Sequence, residues 1–165
     1  ASCSSLKRVD LSNFDTSNVT TMQSMFYKCE NLELLDLSSF KTNKVTNMYC
    51  MFAYCTSLKT INLTSFDTSK VTTMQSMFLF CKSIEMLDLS TFTTDGATNI
   101  MYMFDTCSSL KSLDIRNASF SSVSKNTSAF NVVNSNVVVY VKNDTEKEFI
   151  INTIKNIISD NVIVG

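Results

Sequence analysis

Five cysteines, Cys3, Cys29, Cys55, Cys81 and Cys107, follow one another at intervals of 26 residues, and only Cys50 falls outside the series. Whole blocks obey the same spacing. Residues 14–29 (FDTSNVTTMQSMFYKC) and 66–81 (FDTSKVTTMQSMFLFC) agree at 13 of 16 positions, two periods apart. Leu6, Leu32, Leu58, Ile84 and Leu110 form one apolar column; Val9, Leu35, Ile61, Leu87 and Leu113 form a second. Leu11, Leu37, Leu63, Leu89 and Ile115 make a third, Phe14, Phe40, Phe66 and Phe92 a fourth, and Met-Phe pairs recur at 25–26, 51–52, 77–78 and 103–104. A unit this short cannot bury its own apolar face, so a period between 20 and 50 residues implies a stack in which neighbours cover one another.

Within a unit the pattern changes character. Leu6-x-x-Val9-x-Leu11 ends in the period-2 alternation of a short strand. Val19, Met22, Met25, Phe26 and Cys29 then fit one stripe of a short helix, with Ser17, Asn43, Ser69 and Asp95 as N-caps or Thr20, Thr46, Thr72 and Thr98 capping one turn later. The expected fold is therefore an α/β solenoid of strand–turn–short-helix units, about five to six coils over residues 1–141, the last degenerate. There Phe120 comes two places late, Ala129-Phe130 keeps the Met-Phe position, Val133 replaces the cysteine, and Val139 and Val141 hold the strand columns. Residues 142–165 read as a C-terminal helical cap, with Thr145 and Glu148 as a capping box and Phe149, Ile150, Ile154, Ile157 and Ile158 as its apolar face. The chain opens inside its first repeat, so it is expected to be a mature fragment or an excised domain, with an N-terminal cap or further coils before it. An Ala1-Ser2-Cys3 start can also suggest the end of a lipobox, but Cys3 is in register with the repeat and is read as structural.

The string Cys-x-x-Leu-x-x-Leu-x-Leu at Cys29–Leu37 and Cys81–Leu89 resembles a leucine-rich repeat. The fuller unit, L-D-L-S-x-F-x-T-x-x-V-T-x-M-x-x-M-F-x-x-C, resembles the BspA-like bacterial surface-protein repeats, in the 26-residue branch of surface lipoproteins and wall-anchored proteins, and Val139–Phe149 is similar to the end of such arrays. The resemblance implies a leucine-rich-repeat-like right-handed coil and an extracellular, cell-surface location. It also implies an adhesin-type role toward a host or microbial protein or glycan. It brings no catalytic motif. Phenylalanine (Phe14, Phe40, Phe66) stands where the usual asparagine ladder would be.

Several columns are candidates for chemistry. Lys7, Glu33, Lys59, Glu85 and Lys111 alternate in sign and are expected to form a ladder of exposed ion pairs that fixes register. Beside them, Arg8, Leu34, Thr60, Met86 and Ser112 vary between fixed columns, as a ligand-reading strand face would. Asp10, Asp36, Asn62, Asp88 and Asp114 line the same face and offer oxygen ligands for a cation or, more simply, acceptors for the hydroxyls and amides that follow them. These ten residues are the first candidate site; an aromatic flank of Tyr27, Tyr49, Tyr54, Phe80 and Tyr102 is the second. The periodic cysteines read as buried free thiols, and Cys50 as exposed.

The rest is exclusion. With a net charge of −1 and no histidine, the chain has no basic footprint for nucleic acid, and no apolar run is long enough to insert in a membrane. No metal and no cofactor are expected. An enzyme is not expected either, because repetition does not make unlike residues converge. Five N-x-S/T sequons, at Asn18, Asn62, Asn117, Asn126 and Asn143, are about what this composition produces by chance. The expectation is a monomeric, non-enzymatic binding module, or alternatively a rigid spacer that projects another domain. Ice or crystal binding would need threonine rows on a flat strand face, and the Thr16, Thr42, Thr68 and Thr94 column lies at a turn.

Overall fold

A computed structural model describes residues 3–165; Ala1 and Ser2, the first two residues of the lipobox-like start, lie outside the described residues. The chain winds into a β-solenoid of about five turns. One side is built from three-residue strands: β1 (Leu34–Asp36), β2 (Thr60–Asn62), β3 (Met86–Asp88) and β4 (Ser112–Asp114), followed by β5 (Val138–Val141); the central residue is buried in β1, β3 and β4 and half-buried in β2. β1 pairs with β2, and β3 with β4 and β4 with β5, all parallel and in the 26-residue register. Leu35, Leu87 and Leu113 point inward, as period-2 alternation requires.

The opposite side corrects the expected helix. The stretch from Val19 to Cys29 and its equivalents are chains of tight turns, not helical turns. Met22, Ser24, Phe26 and Lys28 donate their N–H groups to Asn47, Tyr49, Met51 and Ala53 in the next coil, while Met25, Tyr27 and Cys29 bond back three residues. The alternation demands a left-handed residue every fourth position: Ser24 and Lys28 (φ 54° and 58°), Cys50 and Tyr54, Ser76 and Phe80, Tyr102 and Thr106, Ser128 and Val132. None is glycine, and each costs about 1–2 kcal/mol against right-handed backbone. The inter-coil bonds offset that cost. A second parallel row, Thr21–Asn47–Thr73–Asn99–Lys125, runs along this side.

The core between the two sides is a set of columns. Phe26, Phe52, Phe78, Phe104 and Phe130 stack with successive centroids 5.7, 5.3, 5.7 and 5.0 Å apart. Phe40, Phe66 and Phe92 are buried, whereas Phe14, in the first coil, is 57% exposed. A ladder of threonines also joins successive coils. The Thr68 hydroxyl donates to the Thr93 carbonyl (2.8 Å) and accepts from the Thr93 N–H (2.9 Å) in the next coil. Thr16 does the same for Lys41, Thr42 for Asp67 and Thr94 for Ser119.

At the C-terminal end the helix α1 runs from Asp144 to Thr153. Its N-cap is Asn143, whose Oδ1 accepts from the Glu146 N–H at 3.0 Å, so the expected Thr145–Glu148 box is not the device used. Ile150 and Ile154 are buried, and Ile158 lies beyond the helix, half exposed. Glu146 is buried and accepts from the Phe120 N–H, and Phe149 stacks on Phe120 at 4.4 Å. After a 3₁₀ turn (Ser159–Asn161), β6 (Val162–Val164) pairs in parallel with β5, a strand the sequence reading did not foresee.

Candidate binding face

The strand side brings the ten candidate residues onto one surface. Arg8, Leu34, Thr60 and Met86 face outward beside Asp10, Asp36, Asn62 and Asp88; Ser112 and Asp114 are half-buried farther along. Leu34 and Met86 are 45% and 73% exposed, large apolar side chains with nothing over them.

Each acidic residue is occupied locally. Asp10, Asp36 and Asp88 accept from the N–H of Ser12, Ser38 and Ser90, and Asn62 from Thr64, closing the turn that follows each strand. Those turn bonds hold the Asp10 and Asp36 carboxyls below the usual carboxylate range, through the backbone N–H first and the serine side chain second. Asp114 differs: Arg116 grips it through Nε and Nη2, and the guanidinium lies 5.9 Å from the Tyr140 ring centre. Among the described residues no three His, Cys, Asp or Glu side chains gather as a metal cluster.

The charged column departs from its expected pattern. Lys59 pairs with Glu33 at 3.2 Å and Lys111 with Glu85 at 2.7 Å, but neither Lys7–Glu33 nor Lys59–Glu85 closes. The ladder therefore consists of separate pairs. All four side chains are about half exposed or more, so each pair contributes only ~0–1 kcal/mol.

The aromatic flank is only partly assembled. Tyr27 meets Tyr54 edge-on at 5.7 Å, and Tyr54 stacks on Phe80 at 4.9 Å with planes 6° apart. Lys28 lies 5.4 Å from the Tyr27 ring centre and Lys82 5.1 Å from that of Phe80, as cation–π partners. Tyr49 and Tyr102 fall in other columns, Tyr49 beside the Gln23 and Gln75 positions and Tyr102 in the left-handed Ser24 position. All five are half-buried.

The thiols are free. Cys29, Cys55, Cys81 and Cys107 are buried; Cys3 is exposed. Cys55, Cys81 and Cys107 donate to the carbonyls of Phe26, Phe52 and Phe78 at 3.1–3.2 Å. Burial pushes Cys55 and Cys107 up to about 12 and Cys81 well above its ordinary value, so the column packs as small apolar groups. Cys50 corrects the expectation of exposure. It is buried, and it occupies the left-handed Ser24–Ser76 column rather than standing outside the repeat.

Sequence reasoning missed two features. The threonine ladder is visible in the sequence as the Thr16, Thr42, Thr68 and Thr94 column, whose place at a turn gives no sign that the hydroxyls bridge coils. The second is a break in the strand ladder: β2 and β3 are not hydrogen-bonded, and the sheet divides into β1–β2 and β3–β6. The break coincides with the unpaired Lys59–Glu85 step, and that alternation was the available signal.

A family model described as "Mycoplasma protein of unknown function, DUF285" matches residues 1–64 and 36–139. No curated protein and no solved structure matches the chain.

Proposed function

The chain belongs to the DUF285 family, and from that premise we propose that it is a non-enzymatic binding module whose strand face contacts another macromolecule. One observation carries the reading: Leu34 and Met86 stand exposed on the outer face of a scaffold whose inward columns hardly change. Exposed apolar side chains that no neighbour covers are what an interface core requires. The sequence resemblance to BspA-like surface repeats supports reading the module as an extracellular, monomeric adhesin domain for a host or microbial surface protein or glycan. That resemblance also favours binding over catalysis.

A rigid spacer is the second reading, favoured by the threonine ladder and the stacked phenylalanines, which tie each coil to the next along two sides. The experiment that tests the pair is a binding screen of the purified chain against immobilised matrix proteins and mucin-type glycans. Beside it runs a variant with Arg8, Leu34, Thr60 and Met86 changed to serine. Saturable binding lost in the variant supports the strand face. Binding retained moves the site to the Tyr27–Tyr54–Phe80 stack, and no capture favours the spacer.

A further inference from the structure

The junctions between coils are not equivalent. At β1–β2, Lys59 and Thr60 donate to the Glu33 carbonyl and Leu37 to that of Asn62; at β3–β4, Lys111 and Ser112 donate to Glu85 and Leu89 to Asp114. At β2–β3 none of the corresponding bonds forms: the N–H groups of Glu85, Met86 and Leu63 have no inter-coil acceptor. The turn side stays closed there, through the Thr73–Asn99 bridge and the Phe52–Phe78 stack at 5.3 Å. On the strand face the ladder is interrupted between two ties, the Ser83 hydroxyl donating to the Thr56 carbonyl at 2.7 Å before the strands and Thr68 with Thr93 beyond them.

The opening is a cleft of about 720 Å³ lined by Lys59, Thr60, Ile61, Ser83, Glu85 and Met86. Ile61, whose counterparts Leu35, Leu87 and Leu113 are buried, is partly exposed in it. The position coincides with the charge pairing: Lys59 is committed to Glu33 and Glu85 to Lys111, so this step has no ion pair. Two coils earlier the step from Lys7 to Glu33 also lacks an ion pair, the Glu33 N–H to Lys7 carbonyl bond is its one backbone tie beside the strand, and a smaller cleft of about 390 Å³ forms beside Arg8, Val9, Asp10 and Leu34. Leu34 and Met86, the exposed apolar residues of the candidate face, border these two junctions.

We propose that the mouth of the cleft between β2 and β3 binds an extended, uncharged peptide segment, whose backbone carbonyls accept from the free N–H groups of Glu85 and Met86 and whose apolar side chain lies against Ile61 and Met86. The proposal deepens the strand-face reading and rests on it for the biological setting, not for the chemistry. Backbone N–H groups free on both walls, Glu85 and Met86 on the β3 side and Leu63 after β2, are matched by a ligand that repeats carbonyls along its own backbone, as a peptide does and a glycan does not. Both charges at the rim already have partners, so a charged segment gains nothing there and loses hydration.

The test uses the ¹⁵N-labelled chain. Amide exchange comes first: Glu85, Met86 and Leu63 should exchange at least about tenfold faster than Lys111, Ser112 and Leu89. Equal protection would mean a closed junction and would overturn the proposal. The probe is then a blocked hexapeptide of alternating threonine and valine, beside the same peptide N-methylated at alternate residues. Saturable shifts at Glu85, Met86 and Leu63 are expected below about 1 mM, about tenfold weaker for the methylated peptide and for Met86→Ser, an exposed position whose change leaves the core intact. No shift, or equal binding of both peptides, overturns the assignment. If a matrix protein binds through Arg8 and Leu34 while the cleft amides stay still, the cleft falls and the strand-face reading survives. If the peptide binds while the panel captures nothing, the reverse holds.

Discussion

Replacing Thr68 with valine tests whether the threonine column holds the coils together. The change keeps shape and removes one hydroxyl, but that hydroxyl serves both polar groups of Thr93, accepting from its N–H at 2.9 Å and donating to its carbonyl at 2.8 Å. A buried backbone group left without a partner costs ~1–3 kcal/mol. Two groups here, in a half-buried setting that admits some water, give a loss of roughly 2–4 kcal/mol. Thr68→Ser keeps the hydroxyl and loses one methyl, about 0.8 kcal/mol. Urea unfolding followed by circular dichroism measures both, and heating should show about 2–4 °C per kcal/mol for a chain of this size. A valine variant within about 0.5 kcal/mol of the parent would refute the reasoning, as would a serine variant as damaged as the valine one. Either result would leave the phenylalanine stack as the main tie between coils.

Other expectations follow from the same geometry. Of the six cysteines only Cys3 should react quickly with a thiol reagent, the others only once denaturant opens the coils, because burial holds their protons on. The carboxyls of Asp10, Asp36 and Asp67 are held below their unfolded value of 3.8 by the turn N–H and hydroxyl groups of Ser12, Ser38 and Ser69. A lowered folded value adds stability that is complete above 3.8 and disappears as pH falls through the folded values; urea midpoints should therefore drop below about pH 4 and do so less in a triple Asp→Asn variant. Glu146→Leu should free the Phe120 N–H, loosen α1 by ~1–3 kcal/mol and speed Phe120 amide exchange, while Glu146→Gln, which keeps an acceptor, should do so far less. Phe78→Ala, in the middle of the aromatic column, should cost about 3–5 kcal/mol by calorimetry.

The period, the inward columns and the strand positions were legible because burial repeats where sequence repeats. The turn side was not. Val19, Met22, Met25, Phe26 and Cys29 are spaced as a helical stripe, but the same spacing results when residues alternate between inter-coil and local hydrogen bonds. What separates the two is a left-handed residue every fourth position, and Ser24, Lys28, Cys50 and Tyr54 do not advertise it as glycine would. The candidate face was legible as a column of varied residues. Its cleft was signalled only by the charge alternation, which offers Lys59 two equivalent partners and does not say which one it takes.

That choice has a consequence for descent. Every tie between coils joins residues about 26 apart, so a whole coil can be gained or lost without rewriting the others. Yet Glu33–Lys59 and Glu85–Lys111 recur every 52 residues, as do the amide bonds from Asn47 to Gln23 and from Asn99 to Gln75. Excising the coil that carries Lys59 would set Glu33 against Glu85, whereas excising two coils would restore opposite signs. Lineages of such chains should therefore change length in double steps, and the near-identical blocks at 14–29 and 66–81 have the spacing such a copying event leaves.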